Sequence, residues 1–211
     1  MMKALSDLDL AALLCSRVCH DVISPVGAIS NGLEILADET DEDMRNMAFG
    51  LVRSSAEQAS SKLQFCRLAF GAAGSAGSKL DLGEAGEVAR KFVGDQKVKL
   101  EWSMPHETRD KTEVKLLLNL MLMAVSAVPR GGLVTVGHDG AGLVVSATGE
   151  GAKLPEASLR VLSGDIDAAE IDARLVQVYY AMRLADQAGY AIGTEIASGA
   201  VVITAMAKGV G

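Results

Sequence analysis

The sequence predicts a chain in two parts, a helical hairpin over residues 1–72 and a layered α+β domain over residues 79–211. Three observations carry this reading. Apolar residues recur at spacings of three and four through the first 70 residues, the period of amphipathic helices. The small-residue run Gly71-Ala72-Ala73-Gly74-Ser75-Ala76-Gly77-Ser78 then interrupts that pattern and marks a linker. Beyond it, short alternating segments and glycine turns are interleaved with helical stretches.

The first helix is expected over residues 7–37, about 45 Å long. Its stripe is Leu10, Leu14, Val18, Val22, Val26, Ile29, Leu33 and Leu36. At 100° per residue, His20 lies roughly 160° from Val18 and Val22, on the side that carries Ser16, Arg17, Ser24, Gly27 and Asn31. Its imidazole therefore faces water. Pro25, one turn on, cannot donate to the Asp21 carbonyl, so a bend and a freed acceptor are expected there. Asp38-Glu39-Thr40-Asp41 breaks the pattern, and Thr40 with Asp43 suggests a capping box for a second helix over residues 42–70. That helix presents Met44, Met47, Ala48, Leu51, Ala59, Leu63, Cys66 and Phe70. A hairpin alone buries only part of such surface, and two copies would make a four-helix bundle. A homodimer through residues 7–70 is expected, with packing against the chain's own second domain as the alternative.

In the second part, Leu82 to Phe92 reads as a helix and Lys97 to Ser103 as a strand with Val98, Leu100 and Trp102 on one face. Thr112 to Val128 is a strongly apolar helix closed by Pro129-Arg130-Gly131-Gly132. Leu133 to Gly137 and Leu143 to Ala147 form a hairpin across Asp139-Gly140-Ala141-Gly142. A glycine loop at 149–151, a helix from Pro155 to Leu162 and a longer helix from Ile171 to Gln187, stopped by Gly189, follow. Tyr190 to Ile196 and Ala200 to Ala207 close the chain as a hairpin across Ser198-Gly199. The expected architecture is a mixed sheet with helices on one face.

Composition narrows the partners. The 211 residues are 49% hydrophobic but only 4% aromatic, so the core must be aliphatic and Met-filled. A net charge of −7 without a basic run argues against nucleic acid. No signal peptide and no apolar run of about 20 residues is visible, so no membrane partner is expected and the location reads as cytoplasmic. Cys15, Cys19 and Cys66 read as reduced thiols. Cys15 and Cys19 are one turn apart, half of a metal site that nothing nearby completes, so packing is expected and no metal.

His20-Asp21-Val22-Ile23-Ser24-Pro25-Val26 resembles the H-box of two-component histidine kinases, whose histidine accepts and donates a phosphoryl group. The order of the later elements resembles the Bergerat ATP-binding domain of the same family. Glu113 to Ala124 is similar to its N-box, Val144 to Gly151 to its first glycine box, and Val176 to Ala185 to the helix after its last one. The departures are specific. Met123 stands where the N-box carries a Mg²⁺-binding asparagine, and Ala147 where an aspartate meets adenine. Ile171-Asp172-Ala173-Arg174-Leu175-Val176 lacks the phosphate-cradling glycines. A thioether cannot hold a hard cation. The fold class expected is thus a dimeric helical hairpin followed by a degenerate kinase-like α/β sandwich that binds no nucleotide cofactor. Asn119 reads equally as a helix-face polar residue or a ligand.

Over nearly the whole chain the pattern resembles the ChpT-type histidine phosphotransferases of alphaproteobacteria. The resemblance implies relay from a hybrid-kinase receiver domain (CckA-type) to response regulators (CtrA- and CpdR-type), with Mg²⁺ held in the partner receiver. It implies His20 as phosphoacceptor and Asp21 as the residue that orients it. Arg17 and Ser24 would contact phosphoryl oxygens, or are ordinary helix surface. Two other readings stay open: a drifted kinase that still uses ATP, and a non-catalytic dimeric adaptor. His106 and His138 lack an acid-proline context and read as surface residues.

Overall fold

The computed structural model describes residues 4–71, 79–94, 97–140 and 142–209. Helix α1 spans Asp7–Asp38, with the Ser6 hydroxyl accepting the Asp9 N–H at its start. Helix α2 spans Glu42–Ala69. Its cap is Asp41, which accepts the Met44 N–H, and not Thr40 as the sequence suggested. The physical reason lies in Glu39, whose carboxylate accepts the backbone N–H of both Thr40 and Asp41 and so fixes the turn one residue later. Those two bonds hold the Glu39 carboxyl below its ordinary range. Arg45 closes the tip by donating to the Leu36 and Glu39 carbonyls. The helices approach closely at Gly32, where a Cβ would meet Val52 at 2.6 Å.

In the second part, β1 (Lys79–Asp81) pairs antiparallel with β3 (Thr108–Asp110). Strands this short carry no alternation, and the sequence did not reveal them. Helix α3 (Leu82–Val93) and β2 (Val98–Trp102) lie between them. Helix α4 (Lys111–Ala127) then crosses over to β4 (Gly132–Asp139), which runs parallel to β2. Strand β5 (Gly142–Thr148) returns antiparallel, as the turn residues predicted. Helices α5 (Glu156–Ser163) and α6 (Val176–Ala188) precede the hairpin of β6 (Tyr190–Ala197) and β7 (Ala200–Ala207). The sheet order is β2-β4-β5-β7-β6. Val134, Val136, Val145, Ala147, Val201 and Ile203 point from it into one buried core under α3, α4 and α6. Gly189, at φ +76°, ends α6 in the left-handed region that glycine tolerates.

Helix α6 starts five residues later than the periodicity indicated. The Asp172 carboxylate accepts the N–H of Arg174 and Leu175, at 2.8 and 3.0 Å, and turns the chain before the helix begins. A 3-10 turn over Ala168–Glu170 precedes it.

The expected fold class is the observed one, and the hairpin packs on the chain's own second domain at its base. At its base, Phe65, Leu68 and Ala69 enter the core beside α3 and α4, with Phe65 stacked on Phe92 at 4.1 Å. Farther up, Val26, Leu33, Met44, Met47 and Leu51 are exposed. Cys15 and Cys19 depart from expectation: they are exposed, not packed, and line an apolar groove of about 520 Å³ with Leu14, Val18, Leu63 and Phe70. By length and apolarity alone α1 also meets the requirement for a membrane span, and only 6% of its apolar window is buried in the protein. The linker at 72–78 lies outside the described residues.

Candidate functional site

The site begins with the missing N–H of Pro25. Proline inside α1 removes the helical donor that would bond the Asp21 carbonyl. Lys62, on α2, supplies the replacement: its ammonium donates to that carbonyl at 2.9 Å. The ring of Pro25 is itself buried against the hairpin, so the rung is lost on the inner side and closed from the neighbouring helix.

Asp21 is held by its side chain as well. Arg17 Nε donates to Asp21 Oδ2 at 2.9 Å, one turn back along α1. The pair is three-quarters covered, at 26% and 21% exposed. Arg17 Nη1 also reaches the Arg174 carbonyl of the second domain at 3.4 Å. This is the segment where the resemblance called for phosphate-cradling glycines, and here it lies against the first helix instead. A second tie runs alongside it, from the Leu5 N–H to the Tyr179 hydroxyl.

His20 sits next to this clamp and stays open, with 75% of its side chain exposed as the helical angle predicted. Its Nδ1 is 3.4 Å from Asp21 Oδ1, a long contact that favours a proton on Nδ1 and a free lone pair on Nε2. Ser24 is exposed one turn on. Thus three of the residues singled out from the sequence, Arg17, His20 and Asp21, form one cluster, with Ser24 beside it. Lys62 and the Arg174 carbonyl are the additions. Below them, burial first and the Asp21 carboxylate second push the Cys66 thiol up to about 11. His106 and His138 are exposed and remote from the cluster in sequence and element.

The positions that a nucleotide would need are occupied otherwise. Met123 and Ala147 are sealed in the core. Asn119 is fully buried, and its Nδ2 donates to the Ala69 carbonyl at 3.2 Å and the Lys115 carbonyl at 2.8 Å. Gln177 Nε2 donates to both the carbonyl and the Oδ1 of Asn119. Asn119 is therefore a tie between α2, α4 and α6, which resolves its open reading toward structure. Met123, Ala147 and Asn119 thus serve packing and internal hydrogen bonds in this structure. Among the described residues no three His, Cys, Asp or Glu side chains converge on a point that would hold a metal ion.

Residues 82–200 match the family model described as the histidine phosphotransferase C-terminal domain. The chain is 44% identical over 206 residues to the protein phosphotransferase ChpT of Brucella abortus (strain 2308), covering 95% of this chain and 97% of that protein. It is also similar to a solved bacterial phosphotransferase, at 40% identity and a TM-score of 0.88 over 96% of this chain and 98% of the other.

Proposed function

The chain belongs to the histidine phosphotransferase family, and on that premise we propose that it carries a phosphoryl group on His20 between receiver domains of a phosphorelay. The observation that carries the proposal is the pairing of an open imidazole with a clamped carboxylate: His20 exposed, Asp21 fixed by Arg17 and Lys62.

In the first half-reaction the Nε2 lone pair attacks the phosphorus of an aspartyl phosphate on a receiver domain. The P–O bond to that aspartate breaks, and its electron pair stays on the departing carboxylate. The proton remains on Nδ1, and the positive charge of the phosphorylated ring lies against the Asp21 carboxylate. The second half-reaction reverses these steps toward the aspartate of a response regulator. Mg²⁺ held by the receiver's own acidic residues would neutralise charge on the moving group. Arg17 has guanidinium N–H groups beyond those given to Asp21 and Arg174, and with the Ser24 hydroxyl it is assigned to phosphoryl oxygens. The donor is assigned as a CckA-type hybrid kinase and the acceptors as CtrA- and CpdR-type regulators, following the resemblance to ChpT-type phosphotransferases.

The hairpin, residues 1–72, is assigned to phosphotransfer and dimerisation, and residues 79–211 to a domain that has kept a kinase-like frame without binding ATP. The buried Met123, Ala147 and Asn119 support that assignment. The open apolar stripe of the hairpin supports a homodimer through residues 7–70. A lipid surface suits the same stripe poorly, because Arg17, His20 and Asp21 lie midway along α1, where a bilayer interior costs several kcal/mol per charge. A cytoplasmic relay follows from these assignments.

Two parallel incubations test the proposal. One holds the protein with labelled ATP and Mg²⁺, the other with a labelled, phosphorylated receiver domain and no free ATP. Label is expected only in the second, and is lost in His20→Ala with the fold intact. Label from ATP would make the protein a kinase, and no label from any receiver would leave it an adaptor.

A further inference from the structure

We infer that Lys62 is a positioning residue for this transfer, holding the Asp21–His20 pair through the carbonyl that Pro25 leaves without a donor. The inference rests on the reading of His20 as the transfer group.

The chain of contacts is short. Pro25 has no N–H, so the Asp21 carbonyl, its partner in an ordinary helix, has lost its rung. Lys62, forty-one residues later in the chain, fills the gap with a charge-assisted bond of 2.9 Å. The same residue, Asp21, is fixed at its carboxylate by Arg17 and faces His20 Nδ1 at 3.4 Å. Backbone and side chain of Asp21 are thus each pinned by one cation, from two helices. A helix with an open rung bends at that point. A bend here would swing the Asp21 carboxylate away from an imidazole that is already at the limit of hydrogen-bond reach. The hydrogen bond of Lys62 in this arrangement goes to the Asp21 carbonyl and not to the imidazole. It acts through the peptide next to His20, and the ammonium also sets a positive charge beneath the site without occupying it.

The role of Lys62 exists only because residue 25 is proline, and that makes it separable from a general contribution of a surface lysine. In Pro25→Ala the residue-25 N–H returns to the Asp21 carbonyl, and Lys62 loses its task. The experiment is a double-mutant cycle in the full-length protein with a labelled, phosphorylated receiver domain as donor. Lys62→Met is expected to lower kcat about tenfold, the weight of one hydrogen bond to a charged group, with KM for the donor unchanged. Lys62→Arg restores most of the rate. In the Pro25→Ala background, Lys62→Met is expected to cost less than about twofold. An undiminished rate in Lys62→Met, a loss confined to KM, or the same loss in both backgrounds overturns the inference. A thermal-unfolding cycle on the same four proteins reads the Lys62–Asp21 bond without any activity. The Lys62→Met loss in Tm should shrink in Pro25→Ala, and strict additivity removes the bond itself. Should the wild-type protein accept no phosphoryl group at all, the functional reading falls and takes the positioning role with it, whatever the unfolding cycle shows.

Discussion

Helices α1 and α4 are close in apolar content and opposite in fate. Of the 32 residues of α1 only Pro25 and Gly32 are buried, whereas twelve of the seventeen in α4 are. Apolar content did not decide this; neighbours did. Helix α4 lies under α6 and across the sheet, so any polar group on it must be bonded internally. Asn119 meets that condition completely, while Lys115, largely covered, has its ammonium pKa pushed down by burial. Helix α1 is covered on the side that meets α2 and α6 and open on the others, so His20 keeps its contact with water. The helix that is sealed carries structure, and the helix left open carries the residues proposed for the transfer.

The contrast is broken most directly by returning an asparagine to the sealed helix. Met123→Asn leaves a void and an amide without partners, and should cost about 3 kcal/mol or more. In a chain of this length that lowers Tm by roughly 6–12 °C. Calorimetric titration of the variant should still detect no ATP binding; binding would mean that the core opens to nucleotide more readily than its burial implies.

A smaller effect sits where the two regions meet. Burial and the Asp21 carboxylate raise the Cys66 thiol to about 11, from 9.0. The folded state therefore favours the neutral thiol. Its contribution is fully present below about pH 9 and is lost as pH rises through 11, at most on the order of 2 kcal/mol. Denaturant midpoints between pH 8 and 11 should show this decline in the wild type and a weaker one in Cys66→Ala; equal slopes would remove the assigned cause.

The mildest test sharpens the open side of the comparison. Cys15 and Cys19 are exposed along an apolar groove of the hairpin proposed to dimerise, and Cys66, which lines the same groove, is buried. Alkylation of Cys15 and Cys19 should slow about fivefold or more as the protein is concentrated, while Cys66 reacts only on unfolding. A rate independent of concentration would take the dimer off this face.

The sequence made the local features legible and left the distant ones hidden. His20, Asp21 and Pro25 sit within one and a half turns, so the helical angle alone told which side faces water. The α4 helix and the hairpin of β4 and β5 followed from runs and turns of the same short range. The misplaced cap at Thr40 and the late start of α6 have a common cause: acidic side chains, Glu39 and Asp172, captured nearby N–H groups that periodicity does not see. The Lys62–Asp21 bond and the Asn119–Gln177 tie join residues 41 and 58 apart. Nothing in the local pattern of either partner announces the other.

The Asn119 tie also sets a clock on synthesis. The base of α2 is finished with Ala69, yet the side chain that donates to its carbonyl is 50 residues farther along. At a translation rate of roughly 5–20 residues per second, Phe65, Leu68 and Ala69 leave the ribosome about 3–10 seconds ahead of the helix that covers them. For that interval the nascent hairpin is apolar at its base as well as along its open stripe. The growing chain thus passes through a brief, sticky stage that the finished protein no longer shows.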